Sequence, residues 1–258
     1  AFFSEKFNEK REKKTEGVIV GSKGEPASYT TKINVDGSFS CLLRPDDAGY
    51  LIGGALGSEG TVTTVGTNGK KHTFTALSMT ETSSLPSFTV KIDRVADVFI
   101  YSGCKIEELK LSADAGDFVK VDVSFVGKNE TIGGTLQTLS KSGRKSFQFS
   151  GGTLKFGTTS VEITKFDFLY KNNLQADVRT NLTGLYVYEP QPAERQIDVN
   201  IECLFNDNSL TQYTSYYKTD NTFSLELKFT SDEEIETGLN YSLTITIPCV
   251  QIVESDMG

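Results

Sequence analysis

The sequence predicts a mainly β protein: a β-sandwich or half-barrel with one or two short flanking helices. Three observations point there. Apolar and polar residues alternate with period two in several separate runs, as in Val119, Val121, Val123 and Phe125 against Lys120, Asp122 and Ser124. Short polar or glycine-containing breaks separate these runs, which is the pattern of antiparallel hairpins. Only two stretches, Pro45 to Leu56 and Ser209 to Lys218, carry a helical pattern.

The best-specified element is the stretch from Val98 to Gly127. Leu109, Leu111 and Ala113 alternate with Lys110 and Ser112, the pattern breaks at Asp114-Ala115-Gly116-Asp117, and alternation resumes from Val119. This predicts a hairpin with one buried face. Taken in order, the chain opens on a mixed-charge run, Glu5 to Glu16, that suits a solvated strand, a helical turn or a mobile arm. Val18-Ile19-Val20 predicts a short strand. Tyr29 to Leu43 alternates on either side of an expected turn at Asp36-Gly37. Pro45 suits the first helical position, Asp46 and Asp47 suit the positive end of the helix dipole, and Gly57 suits the position after the last turn. Gly53 and Gly54 inside that helix imply close packing on a sheet. Ser58 to Lys71 reads as a long loop or ragged hairpin, followed by strands at His72–Leu77 and Ser87–Ile92 with a polar loop between them. After the central hairpin, 128–145 is polar. Short strands are expected at Phe147–Phe149 and Thr153–Phe156, and a stronger one at Val161–Tyr170. Leu182 to Pro192 reads as a connection, and Arg195 to Leu204 as a strand. Asn208 is the expected cap of the second helix. Two strands, Phe223–Phe229 and Tyr241–Val250, flank an acidic loop, Ser231 to Glu236.

Two internal alignments suggest duplication. One pairs residues 31–35 with 195–199 and carries a helix and two strands behind each copy. The other pairs 104–111 with 161–168, and both members skip a beat at the same place, as a β-bulge would. The two use different offsets and cannot both be the true register; the first is preferred because it covers more elements. It divides the chain into a unit at 1–145, with its N-terminal arm and helix 45–56, and a unit at 146–258, or one continuous domain if the likeness is accidental. It also implies that the first unit's opening strand lies upstream of Ala1.

The chain has 258 residues and a net charge of −8, which disfavours a basic stripe for gripping phosphates. Cys41, Cys104, Cys203 and Cys249 are widely spaced and are expected to be buried free thiols in a reducing compartment. No apolar run approaches membrane-spanning length. The single histidine, His72, opens a strand and reads as a structural or surface residue. No nucleophile elbow, zinc-ligand spacing, calcium loop or phosphate-binding loop is present. Glu107-Glu108 would point to opposite faces of an unbroken strand, so a bulge or a solvated edge is expected there rather than a catalytic pair. No enzyme, cofactor or metal is expected.

Several blocks, in this order, resemble a known family. They are Tyr50-Leu51-Ile52-Gly53-Gly54-Ala55-Leu56-Gly57, the run from Phe99 through Leu111 to Val119, Asn172-Asn173-Leu174, and Ile247-Pro248-Cys249-Val250. Together they resemble the tail tube proteins of long-tailed bacteriophages. The resemblance implies a structural virion protein, assembled in the host cytoplasm, whose copies join edge to edge into rings. The rings stack into a tube through which the tape measure protein and the genome pass, alongside other tail proteins. Two related units per chain would make a pseudo-sixfold ring of three chains; otherwise the ring would hold six. The polar faces of two strands are then candidates for the lumen: Lys120, Asp122 and Ser124, and Asp198, Asn200 and Glu202. The alternative is that they face outer solvent. A lumen of net negative potential is expected. A carbohydrate-binding or adhesive β-sandwich is the competing reading; the absence of Trp counts against it and ten Tyr residues keep it open.

Overall fold

The computed structural model describes residues 2–15, 27–78, 84–136, 138 and 143–256. The chain opens with two long strands, β1 (Phe2–Thr15) and β2 (Ser28–Leu42), then a helix, α1 (Pro45–Leu56). Four three-residue strands form two nested hairpins: β3 (Gly57–Glu59) pairs with β6 (Phe74–Ala76), and β4 (Thr63–Val65) with β5 (Gly69–Lys71). Next come β7 (Phe88–Asp93), β8 (Val98–Asp114), β9 (Lys120–Gly127) and β10 (Asn129–Ile132). The second half holds β11 (Gly152–Phe156), β12 (Thr159–Val161), β13 (Ile163–Lys171) and β14 (Gln196–Cys203). A second helix, α2 (Asp207–Gln212), runs into a π-helical turn, Tyr213–Tyr217, before β15 (Phe223–Glu236) and β16 (Leu239–Val250).

The strands form two layers. The larger sheet has the order β1-β2-β9-β8-β13-β14, antiparallel throughout, and the smaller has the order β12-β11-β15-β16. Their inner faces share one core: Leu109, Leu111, Val121, Val123, Phe166 and Phe168 from the first meet Leu154, Leu225, Leu227 and Phe229 from the second. The Phe166 and Phe229 rings, 5.0 Å apart, join the layers directly. The sheet also crosses position 145, because β13 pairs with β8 from Lys165–Asp114 to Lys171–Glu108.

The central hairpin is as expected, with its turn at Ala115-Gly116 and Gly116 in the left-handed region. Its first strand divides its allegiance. At Gly103 (φ 66°) β8 turns; residues before it, and Cys104, pair with β7 and β10, and residues from Lys105 on pair with β9 and β13. The helix follows its signals: Pro45 opens it, Gly57 (φ 86°) closes it, and its Gly53-Gly54 pair lies against aromatic rings. A Cβ on Gly54 would sit 2.4 Å from the Phe88 ring and 3.0 Å from Ile106 Cδ1.

Several expectations are corrected. Asp36-Gly37 is no turn; β2 runs straight through it. Gly37 is there because the Phe7 ring lies on it, 2.1 Å from where a Cβ would stand. Of the three readings of the mixed-charge run, the strand holds over its described part: it is β1, paired with β2. Phe147–Phe149 is not a strand: Phe147 bridges Leu43 and Val119 through backbone hydrogen bonds, and Phe149 begins a 3₁₀ turn. The acidic run Ser231–Glu236 is the end of β15 rather than a loop. It is bulged, and its carboxylates are used. Glu233 accepts from Arg144 (2.8 Å) and the Lys145 N–H (2.9 Å), and Glu236 accepts from the N–H groups of Thr67 and Asn68. The cap of α2 is Asn206, in a reciprocal arrangement with Ser209, not Asn208. Cys41 and Cys104 are buried as expected, but Cys203 and Cys249 lie on the edge strands β14 and β16 and are exposed. The expected strand Val18–Val20 lies outside the described residues.

Candidate functional site

The six residues expected to share a surface lie on two strands separated by two others, and the register settles how they relate. Across one row Ser40 faces Asp122, Asp122 faces Lys110, Lys110 faces Leu169 and Leu169 faces Asp198. In the next row Lys120, Ser112, Asp167 and Asn200 follow one another, and on the other side Ser124, Glu108, Lys171 and Gln196 do. Glu202 faces Lys165. Residues directly opposite in a sheet share a face. Lys120, Asp122, Ser124, Asp198, Asn200 and Glu202 therefore stand on one continuous polar face, the side of the large sheet away from the core.

That face is organised by charge pairs across strands. Lys110 meets Asp167 at 2.9 Å, Lys171 meets Glu108 at 3.2 Å and Lys165 meets Glu202 at 3.4 Å. Ser40 donates to Asp122, Gln196 donates to Asp198 (2.7 Å), and Lys120 reaches back to Asp117 (2.6 Å). The Lys120 ammonium, with the Phe118 N–H, holds the Asp117 carboxyl below its usual range, and Glu202 raises Lys165. The carboxylates of Asp36, Glu108, Asp114, Asp122, Asp167, Asp198 and Glu202 interleave with the ammoniums of Lys6, Lys10, Lys110, Lys120, Lys165 and Lys171. The face is highly polar, densely hydrogen-bonded and close to neutral.

One end of this face is closed over. The chain between β13 and β14 lies on it and is tied down by Lys105, a fully buried lysine whose Nζ reaches Glu189 (2.7 Å) and the Pro190 carbonyl (3.0 Å). Lys105 and Ser84 hold the Glu189 carboxyl below its usual range. Arg179 and the Leu185 carbonyl bind the same segment to Ile33. At its start the first three blocks of the resemblance meet. Asn172, fully buried, donates through Nδ2 to the Ala55 carbonyl at the end of α1 (3.0 Å) and to the Ile106 carbonyl (2.9 Å). Its N–H donates to the Glu107 carbonyl, and the Glu107 carboxylate accepts the Leu174 N–H. Glu107 is free to do this because β8 is bulged between Ile106 and Glu108, as the sequence suggests, while Glu108 turns to Lys171.

The chemistry is that of a surface. Among the described residues no cluster of His, Cys, Asp or Glu is placed to hold a metal ion. His72 is half-exposed beside Glu59 (2.6 Å). Among the described residues no helix is long and apolar enough to cross a membrane. Sequence reasoning missed Glu108, Lys110, Asp167 and Lys171 as members of the face, although their own period-two alternation signals it. It quoted Lys105 and Asn172 only within blocks of the family likeness and gave neither a buried role, since nothing local marks a lysine or asparagine as buried.

The large sheet has two open edges. Among the described residues, β1 is paired only with β2 and β14 only with β13. On the core side of β14, Val199 and Ile201 pack against the core, while Ile197 at its start and Leu204 and Phe205 just past its end are exposed. Open edges of this length invite pairing with another chain.

No curated protein matches the chain. A family model described as "Phage tail tube protein" matches residues 2–246, nearly its whole length, and the mainly β architecture agrees with it. A polar sheet face, two open sheet edges and this match converge on one conclusion: the chain belongs to the phage tail tube protein family, structural proteins of the virion tail.

Proposed function

We propose that copies of this chain join through the edges of the large sheet into a closed ring, and that rings stack into a tube whose bore is the polar face carrying Lys120, Asp122, Ser124, Asp198, Asn200 and Glu202. The observation that carries this reading is the six-stranded antiparallel sheet, with both edges unpaired among the described residues and one face polar but for Leu169 and the end covered by the β13–β14 connection. Closing the sheet on itself satisfies the edge N–H and C=O groups and leaves the apolar face against the second layer.

Strand number favours three copies. Six strands from each of three copies, at a strand spacing of about 4.8 Å and a tilt of about 40°, close at roughly 35–40 Å between backbones, a barrel with an open aqueous channel. Six copies would roughly double that. Three copies also accord with a duplicated chain.

The tape measure protein and then the genome pass along this bore. A wall of interleaved carboxylates and lysines with one carboxylate in excess offers phosphates no basic track. Its field fades within about 8 Å at physiological salt, so the wall neither grips nor strongly repels the duplex. Assembly takes place in the host cytoplasm. Negative-stain electron microscopy of the purified full chain at raised concentration, with masses from light scattering, tests the reading. Rings or tubes with threefold symmetry are expected; a monomer at every concentration overturns it.

A further inference from the structure

We propose that the ring joint is an antiparallel pairing of β1 in one copy with β14 in the next, in a single register that sets Asn8 opposite Asn200. This rests on the ring reading above and specifies its contact. The six strands of the large sheet alternate in direction, so β1 and β14 run opposite ways. A rotated copy therefore presents its β1 antiparallel to the β14 of its neighbour, and the sheet continues without a break in pattern.

Side-chain alternation narrows the register. On β1, Phe7 is on the core face, while Ser4, Lys6, Asn8 and Lys10 are on the polar face; on β14, Ile197, Val199 and Ile201 are on the core face. Strand β1 pairs regularly with β2 from Ser4 to Glu12; the register shifts at Phe3 and again between Glu12 and Lys13, where Thr31 is the extra residue on β2. Keeping both faces continuous permits only shifts of two residues. Three registers then pair the whole of β14: Asn8 opposite Asp198, Asn200 or Glu202. The first makes no charge pair, and the third sets Glu12 against Asp198. The second sets Lys6 opposite Glu202 and Lys10 opposite Asp198, and it seats Phe7 beside Ile201.

This register also extends pairs already present. Lys10 pairs with Asp36 within its own chain and Glu202 with Lys165. Across the joint the rows become Asp36–Lys10–Asp198 and Lys165–Glu202–Lys6, alternating in sign. The Phe7 carbonyl already accepts from Arg94 Nη2 (2.6 Å) and Tyr101 Oη (3.1 Å), so the ladder across the joint relies on the other edge groups of β1.

Disulfide trapping in the full chain tests this, with the exposed Cys203 and Cys249 replaced by Ser. Residues 8 and 200 stand on opposite edges, five strand spacings or roughly 24 Å apart within one chain, so only neighbouring copies bridge them. Oxidation of Asn8→Cys/Asn200→Cys assemblies is expected to convert the monomer band into a ladder of linked chains. Lys6→Cys/Asn200→Cys and Lys10→Cys/Asn200→Cys, which report the other two registers, are expected to link at least tenfold less. Preferential linking of either of those overturns the register while leaving the ring. Rings seen by microscopy with no linking in any pair overturn the β1–β14 joint. Absence of any assembly, including by the unsubstituted chain, overturns the ring reading itself. A second measurement avoids cysteines: Lys6→Glu and Glu202→Lys are each expected to raise the concentration needed for assembly about tenfold, and the double variant to restore it. Failure of the double variant to recover counts against this register.

Discussion

Replacing Asn172 by Ala removes the one side chain that ties α1, the bulge of β8 and the start of the long connection to β14. The amide donates to two carbonyls, Ala55 O at 3.0 Å and Ile106 O at 2.9 Å, and is fully buried. Its Oδ1 has no partner, so nothing is lost on that side. An unmet buried acceptor costs about 1–3 kcal/mol, so two set the loss at about 2–6 kcal/mol, a large part of the roughly 5–15 kcal/mol that holds a domain. At about 2–4 °C per kcal/mol for a chain near this size, Tm falls by roughly 4–24 °C. Asn172→Asp keeps the shape but turns an acceptor on two carbonyls, and is expected to be at least as damaging. Thermal and urea unfolding followed by tyrosine fluorescence and circular dichroism measure both. A Tm within about 2 °C of the parent for Asn172→Ala would refute the argument that this amide is the clamp.

Four further outcomes are expected. Gly37→Ala drives a methyl into the Phe7 ring and destabilises by about 1–3 kcal/mol in urea unfolding, and Phe7→Leu in the same chain recovers part of the loss. Gly54→Ala lowers Tm although Ala favours helix by about 1 kcal/mol, because its methyl meets Phe88 and Ile106; a rise in Tm would show that α1 can move off the sheet. Glu189 has a depressed pKa in the fold, so its contribution is present above the unfolded value of 4.5 and is lost as pH falls through the folded one. Below pH 4.5 the segment 177–193 should exchange amide hydrogens faster, and Lys105→Met should remove that pH dependence. Burial pushes the Cys104 thiol up to about 12 and raises Cys41, so a maleimide should label only Cys203 and Cys249 until the chain is unfolded.

Much of the local structure is written in short-range pattern. Alternation around Asp114–Asp117 specifies the central hairpin, and Pro45 and Gly57 bound the helix between them, because each signal acts within a few residues of itself. The same alternation places Lys120, Asp122 and Ser124 on one side of β9, and Asp198, Asn200 and Glu202 on one side of β14. The ordered blocks of the family likeness were legible as well. Only the tertiary structure puts those two sides together, because period two says which way a side chain points and not which strand lies next to it. The order β9-β8-β13-β14 is a set of long-range pairings. The misread positions have the same origin. Gly37 resembles a turn until the Phe7 ring, thirty residues away, is laid on it, and Ser231–Glu236 resembles a solvated loop until Arg144 and the backbone of 67–68 take up its charges. Lys105 and Asn172 are polar residues at buried positions, and burial of a polar group is decided by partners that only the folded chain brings within reach.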